Sequence, residues 1–181
     1  MGTRSDIIVH RADGKWARIY CHWDGYLSHN GKILFEHYTT QEKVEQLVAL
    51  GDISSLNEEI GVKHPFDRPS VIDYKTGKPS RARKTFEKKY GKMCTAYGRD
   101  RGETGVDTQV FDSLSAAWPD SETGTEFTYV WDDGIWYVGD PDEGSQSLIP
   151  LDDALAGKKK LTPAVKAFGG NFVIGRHSGK V

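Results

Sequence analysis

Cysteine and long apolar runs are both scarce in this chain. Two cysteines among 181 residues are too few for the disulfide framework of a small secreted domain. No run approaches the roughly 18 apolar residues that span a bilayer, and residues 1–11 hold only three apolar residues in succession, so we expect neither a membrane helix nor a signal peptide. Cys21 and Cys94 lie in predicted strands, which favours buried thiols in a cytoplasmic protein.

Motifs for catalysis and for cofactor binding are also missing. No serine lies in a Gly-x-Ser-x-Gly elbow, and no Walker loop occurs. His22, His29 and His37 are spaced by seven and eight residues, which matches no zinc pattern. We therefore expect no metal and no cofactor, and we favour a binding protein while leaving the question of an enzyme open.

The chain does contain clear signals for strands and tight turns. Its aromatic fraction of 11%, with five tryptophans, argues against a disordered protein. In the run 16–23, the alternate residues Ala17, Ile19, Cys21 and Trp23 share one face, which we expect to be the core face. Two pairs of β-rich runs flank turn signals: 6–11 and 16–23 around Asp13-Gly14, and 126–131 and 135–139 around Asp132-Asp133-Gly134.

Helical signals are limited to short stretches between these strands. Residues 32–38 favour a helix, and Thr39-Thr40-Gln41-Glu42 fits a capping box before a second one. A helix near 82–90 and a strand at 93–97 are also expected. Because strands and helices do not alternate regularly, the sequence predicts a single α+β domain over residues 1–181, with a mainly antiparallel sheet and a few helices.

Charge is distributed unevenly, although the net charge is only −2. Residues 63–92, which we call the basic segment, hold ten basic and three acidic residues, a net charge of +7. Residues 100–153, the acidic segment, hold fourteen acidic residues and a single base, Arg101, a net charge of −13. This pattern excludes a protein that is basic throughout, such as a histone, and indicates surfaces of opposite sign.

The acidic segment combines its carboxylates with large aromatic residues. A dense array of carboxylates can occupy the nucleic-acid groove of another protein through complementary potential. We expect the second hairpin to form such a contact surface; the alternative is a solvated sheet face with acidic turns. The candidate binding residues are Asp132, Asp133, Trp136, Asp140, Asp142 and Glu143.

Two pairs of residues support an alternative function, an enzyme or sensor acting on a nucleotide or nucleic acid. Arg99 and Arg101 have the donors to grip a phosphate or a carboxylate, although the interleaved acids favour an internal ion-pair network. His22 and Asp24 are close enough in sequence for acid–base chemistry, although hydrogen bonding at the end of a strand also accounts for them. This function requires the two pairs to meet in space.

The basic segment supports a second alternative, a nucleic-acid-binding module. Its lysines and arginines would contact phosphates. Its aromatic residues Phe66, Tyr74, Phe86 and Tyr90 would stack on bases. The opposing argument is that the acidic segment lies in the same small domain and neutralises the basic one.

Several short blocks of sequence carry a resemblance to a known family. They are Thr3-Arg4-Ser5, Tyr20-Cys21-His22-Trp23-Asp24-Gly25-Tyr26 and Ala96-Tyr97-Gly98-Arg99-Asp100-Arg101-Gly102-Glu103, with shorter matches between them. These blocks resemble a family of small, mostly uncharacterised phage and prophage proteins. The resemblance brings no catalytic residues. It implies a phage accessory protein in the host cytoplasm that binds and inhibits a host or defence protein, such as a CRISPR or restriction nuclease.

Overall fold

A ten-stranded mixed sheet organises the residues that the computed structural model describes, which are 2–139, 147–157, 166–168 and 172–174. A separate two-stranded ribbon is formed by β4 and β5. The strands are β1 (Ser5–His10), β2 (Trp16–Trp23), β3 (Ile53–Ser55), β4 (Ile72–Asp73), β5 (Lys78–Pro79), β6 (Thr95–Ala96), β7 (Gln109–Phe111), β8 (Phe127–Asp132), β9 (Ile135–Gly139), β10 (Ser147–Pro150), β11 (Lys166–Phe168) and β12 (Phe172–Ile174). The order in the sheet is β11-β12-β10-β9-β8-β1-β2-β3-β6, and β7 pairs with β2.

Six α-helices of four to ten residues connect these strands in the described part of the chain. None of them combines the length and the apolar composition that a bilayer crossing needs. They are α1 (Lys32–His37), α2 (Gln41–Val48), α3 (Arg81–Tyr90), α4 (Tyr97–Arg101), α5 (Leu114–Ala117) and α6 (Leu151–Leu155).

Both predicted hairpins are present, and glycine at positive φ closes each of them. Gly14 adopts φ 82° between β1 and β2, whereas Asp133 and Gly134 adopt φ 48° and 80° between β8 and β9. Two successive residues at positive φ make the second turn of the type that matches the twist of the flanking strands. The second predicted helix is present, but its N-cap is Thr40, whose hydroxyl accepts a hydrogen bond from the amide of Lys43. The predicted capping box, which pairs Thr39 with Glu42, is therefore shifted by one residue, and Lys43 lies where the box requires a glutamate.

The predicted α+β class is confirmed, and most strand pairs of the described sheet are antiparallel. The sequence did not predict the parallel pairs β1–β8, β2–β3 and β10–β12. Two parallel neighbours cannot be joined by a tight turn, so the chain must run a long way between them. The N-terminal hairpin consequently lies in the middle of the sheet rather than at its edge.

The two faces of the sheet carry separate apolar clusters. Ala17, Ile19 and Cys21 point to the larger cluster under α1 and α2, as predicted, whereas Trp23 at the end of β2 is exposed. The opposite face has a smaller cluster around Ile8 and α5. The central strands also carry polar side chains on that second face, so it is only partly covered by apolar packing.

Candidate functional site

The hairpin of β8 and β9 does not present the predicted acidic aromatic surface as a whole. Trp136 is only 4% exposed, and its indole Nε1 donates to the carbonyl of Tyr38 over 2.8 Å. Asp132 is 6% exposed, and one of its oxygens lies 2.7 Å from Nδ1 of His10. Both side chains therefore belong to the interior. The reason is strand alternation, which turns Trp136 toward the larger cluster and Asp132 to the opposite face, beside His10 of β1.

The other predicted members of that surface have different positions. Asp133 lies exposed in the hairpin turn, where its carboxylate is open to solvent. Asp140, Asp142 and Glu143 lie outside the described residues. Of the three predicted contact residues whose environment is described, one is therefore on the surface.

Arg99 is a structural residue of α4 rather than a free phosphate ligand. Its guanidinium forms a two-pronged ion pair with Asp100, at 2.9 and 3.0 Å, and donates to the carbonyls of Ile60 and Cys94. Burial raises the pKa of Asp100, but the hydrogen bonds from Arg99 and from the amides of Ala96 and His64 outweigh it and lower that pKa. Three acceptors thus occupy the donors that a phosphate would need.

Arg101 lies two residues further along the same helix and has a different environment. Its side chain is 50% exposed and forms an ion pair with Glu103. The guanidinium also packs over the rings of Phe66 and Tyr97, at 4.4 and 5.0 Å from their centroids. Because Arg101 faces solvent and Arg99 does not, the two do not form one phosphate grip.

His22 and Asp24 do not form an acid–base pair in the described structure. Nδ1 of His22 lies 2.9 Å from the hydroxyl of Tyr20, and its ring packs edge-on against Trp23. Asp24 adopts φ 56° where the chain leaves β2 and bends toward the next helical turn. These contacts are the structural role that the sequence left open, at the end of a strand.

The blocks that carry the family resemblance are neighbours in space. The amide of Gly25 donates to the carbonyl of Thr3 over 2.7 Å, which joins the first block to the second. Asp52 joins the second block to the third, since its carboxylate accepts from the amide of Tyr20 and its carbonyl accepts from the amide of Tyr97. The blocks therefore form one continuous scaffold around β2 and β3.

The basic segment folds into an ordered hairpin and helix. The β4–β5 ribbon closes on Asp73, whose carbonyl accepts from Gly77, and α3 follows directly. One side of α3 is apolar and docks on the body of the protein: the ring of Tyr90 stacks on buried His64 at 5.2 Å, and Phe86 packs beside both. The amide of His64 in turn donates to Asp100. We call residues 63–92 in this conformation the basic module.

The outer side of the basic module is densely positive. Arg81, Lys84 and Lys88 recur at helical spacing on the exposed face of α3. Two of the three acids of the module have partners within it: Glu87 pairs with Arg83 and Arg68, and Asp73 accepts from the amide of Lys75. Seven cations have no carboxylate within ion-pair distance among the described residues: Lys63, Lys75, Lys78, Arg81, Lys84, Lys88 and Lys89.

An open groove of about 730 Å³ runs between the ribbon and the start of α3. Lys75, Lys78 and Arg81 line it, together with Tyr74, whose residue surface is 88% exposed. An aromatic ring held in solvent among cations is an unusual surface feature, because an isolated ring of this size normally buries most of its area. This groove and the exposed face of α3 form the candidate interface.

The two cysteines are free and buried, as the sequence predicted. Burial raises the pKa of Cys21 to about 12 and also raises that of Cys94. We expect neither thiol to react with a bulky aromatic disulfide reagent in the native protein, and both to react at once in denaturant. Absorbance of the thiolate released from the reagent measures this reaction, and rapid reaction of the native protein would contradict the burial of Cys21 in β2 and of Cys94 just before β6.

Among the described residues, no group of three or more histidine, cysteine, aspartate or glutamate side chains is arranged to hold a metal ion. In comparisons with models of protein families, with curated proteins and with solved structures, the chain matches none.

Proposed function

We propose that this chain is a nucleic-acid-binding protein that uses the basic module as its interface. The single observation that carries the proposal is the set of seven exposed cations without a carboxylate partner in the described structure. Unpaired surface cations attract the phosphate backbone and release its condensed counterions on binding. Three of the seven, Arg81, Lys84 and Lys88, lie on one face of a helix and so meet a backbone as a row.

The shape of the module supports nucleic acid over other anionic partners. A two-stranded ribbon and a helix are both elements that enter the major groove of a duplex. Tyr74 at the end of the ribbon is exposed for stacking on an unpaired base, between Lys75 and Asp73. A partner with only surface carboxylates would use the cations and leave this ring without a role.

The main objection to this function was neutralisation by the acidic segment. Three acids of that segment form ion pairs outside the basic module: Asp112 with Lys15, Asp132 with His10, and Glu103 with Arg101. In the described part of the chain, no exposed cation of α3 lies within ion-pair distance of a carboxylate of the acidic segment. The two charged regions therefore act as separate surfaces, which supports the proposal.

The test is binding of labelled duplex DNA and single-stranded RNA, measured by fluorescence anisotropy across a salt series. We expect affinity to fall steeply between about 50 and about 200 mM salt. The double variant Lys84→Gln/Lys88→Gln should bind about 10- to 100-fold more weakly. It should also reduce the slope of log affinity against log salt concentration by about 2, since each substitution removes one phosphate contact.

The matched control is Lys15→Gln/Lys32→Gln, which makes the same change in net charge outside the basic module. It should bind nucleic acid like the parent protein. Equal losses in the two double variants would mean that only net charge matters, and no binding by the parent protein at low salt would end the proposal. Circular dichroism checks that every variant is folded.

Inhibition of a host or defence protein, as the family resemblance implies, stays a prediction. If the basic module binds no nucleic acid, its cations remain available for an acidic protein partner. Copurification of a tagged copy with a nuclease, in the absence of nucleic acid, would support that alternative.

A further inference from the structure

A small polar cavity of about 150 Å³ lies on the second face of the central sheet, away from α1 and α2. Strand alternation brings Asp6 of β1 and Arg18 of β2 to this face, and Asp52 enters it from the residue before β3. Gln109 and Thr125 also line the cavity and bond to these groups. The cavity thus joins two carboxyl groups and a guanidinium, and the basic module contributes none of its lining.

Each of the two carboxyl groups has one oxygen engaged and one open. Asp6 is only 5% exposed, and its Oδ2 accepts a hydrogen bond of 2.7 Å from the hydroxyl of Thr125. Oδ1 of Asp52 accepts from the amide of Tyr20 over 2.8 Å. Among the described residues, Oδ1 of Asp6 and Oδ2 of Asp52 have no hydrogen-bond donor.

Arg18 lines the same cavity but does not pair with either carboxyl group in the described structure. Its Nη1 donates to the carbonyl of Ala117 over 2.8 Å, and its Nη2 donates to Oε1 of Gln109 over 2.6 Å. The guanidinium also packs over the ring of Phe111. The resident cation is thus held aside from the two open oxygens by its own hydrogen bonds.

Electrostatics in the cavity favour a cation. Burial raises the pKa of Asp6 and of Asp52, and the charge of Asp52 raises that of Asp6 further, while Arg18 opposes both effects. Glu103 adds to the negative potential at Asp52. An anion would meet this field unfavourably, whereas a positive group with N–H donors would satisfy the two open oxygens.

We propose that this cavity binds a compact planar group with two N–H donors on one carbon, an amidinium or guanidinium. The two N–H donors of such a group can each form a charge-assisted hydrogen bond with one of the two open oxygens. The same chemistry occurs in a free amidine and in an arginine head group.

The test is titration of the full chain with acetamidinium, followed by backbone amide shifts and calorimetry. Acetamide is the matched neutral probe, and tetramethylammonium supplies charge without N–H groups. We expect saturable shifts near Tyr20 and Gln109 with acetamidinium alone. Asp6→Asn and Asp52→Asn, which keep the shape of the side chain, should each weaken binding at least tenfold.

Asp13→Asn, in the β1–β2 turn, is the matched variant and should bind acetamidinium normally. Shifts of equal size with acetamide, or full affinity in both cavity variants, would overturn the proposal. Lys84→Gln/Lys88→Gln should also retain binding, so this result is independent of the proposed nucleic-acid function. Comparing the affinities of methylguanidinium and acetamidinium then distinguishes an arginine head group from a free amidine as the natural source.

Discussion

Trp136→Ala lowers the free energy of unfolding by about 3–5 kcal/mol, the range for removing a large aromatic side chain from a packed core. The indole is buried, packs edge-on against Trp131 with 5.3 Å between ring centroids, and donates to the carbonyl of Tyr38. Trp131 in turn donates to Gln41 at the start of α2. The two rings therefore fasten the β8–β9 hairpin to the helical layer, and the variant loses both the packing and the hydrogen bond.

Urea unfolding followed by far-ultraviolet circular dichroism measures this loss. Ile135→Ala is the matched control, because Ile135 precedes Trp136 in β9 and is exposed. It should cost less than about 1 kcal/mol, the span of strand propensities. If the two variants were equally stable, Trp136 would have to be a surface residue, as the sequence first suggested.

Arg99→Ala is expected to cost about 3–5 kcal/mol, since it leaves a buried carboxylate without its cation. Asp100 has no exposed side-chain surface, and Arg99 supplies both prongs of its ion pair. The substitution also removes the donors to the carbonyls of Ile60 and Cys94. The stability of Arg99→Lys should lie between those of the parent protein and Arg99→Ala, because an ammonium group keeps the charge but cannot form both hydrogen bonds to the carboxylate.

The dependence on pH separates this charge effect from a packing effect. Arg99 and the amides hold the folded-state pKa of Asp100 below its usual value, so this carboxylate stabilises the parent protein above the unfolded pKa of about 3.9 and loses that effect as pH falls through the folded pKa. The difference between Arg99→Ala and the parent should therefore be large at neutral pH and should shrink in acid. A difference that stays constant with pH would contradict the ion-pair explanation.

Arg101→Ala is the control on the same helix. Its side chain is half exposed and pairs with Glu103 in solvent, where an ion pair adds little to stability, so the substitution should cost much less than Arg99→Ala. A cost for Arg101→Ala equal to that for Arg99→Ala would mean that the two arginines have the same role.

Local patterns in the sequence were enough to predict the hairpins and the second helix. Asp13-Gly14 and Asp133-Gly134 identify tight turns because glycine adopts positive φ without strain, and Thr40 caps α2 through its hydroxyl. These features depend on residues within four positions of each other. The α+β class follows from them, because it requires only the number and the kind of elements.

The contact surface could not be located in the same way. Asp132 and Trp136 have the composition of a surface patch, but their partners, His10 and Tyr38, are 122 and 98 residues away in sequence. Because side chains alternate along a strand, the sequence shows which residues share a face, but it does not show which face is covered by a second layer of the protein. Strand alternation thus gave the correct face for Cys21 in β2, where apolar residues alternate, and failed in β9, where aromatic residues are adjacent.

The folded conformation of the basic segment could not be predicted from the sequence either. Three prolines and a high charge made residues 63–92 resemble a long connection, and only the spacing of Phe86 and Tyr90 indicated a docked helix. Their partner, His64, lies at the far end of the same segment. The basic surface forms because the apolar side of α3 packs against the body of the protein and its lysines remain exposed to solvent.

The parallel pairing of β1 with β8 has a consequence for how the chain reaches its native state. Ser5 is opposite Phe127, and the register continues to Val9 and Trp131. During synthesis the first strand emerges from the ribosome long before its neighbour exists, so one edge of the N-terminal hairpin waits unpaired while more than half of the protein is made. Folding through contacts of such high sequence separation is slow, and a chaperone that shields that edge should raise the yield of recombinant protein.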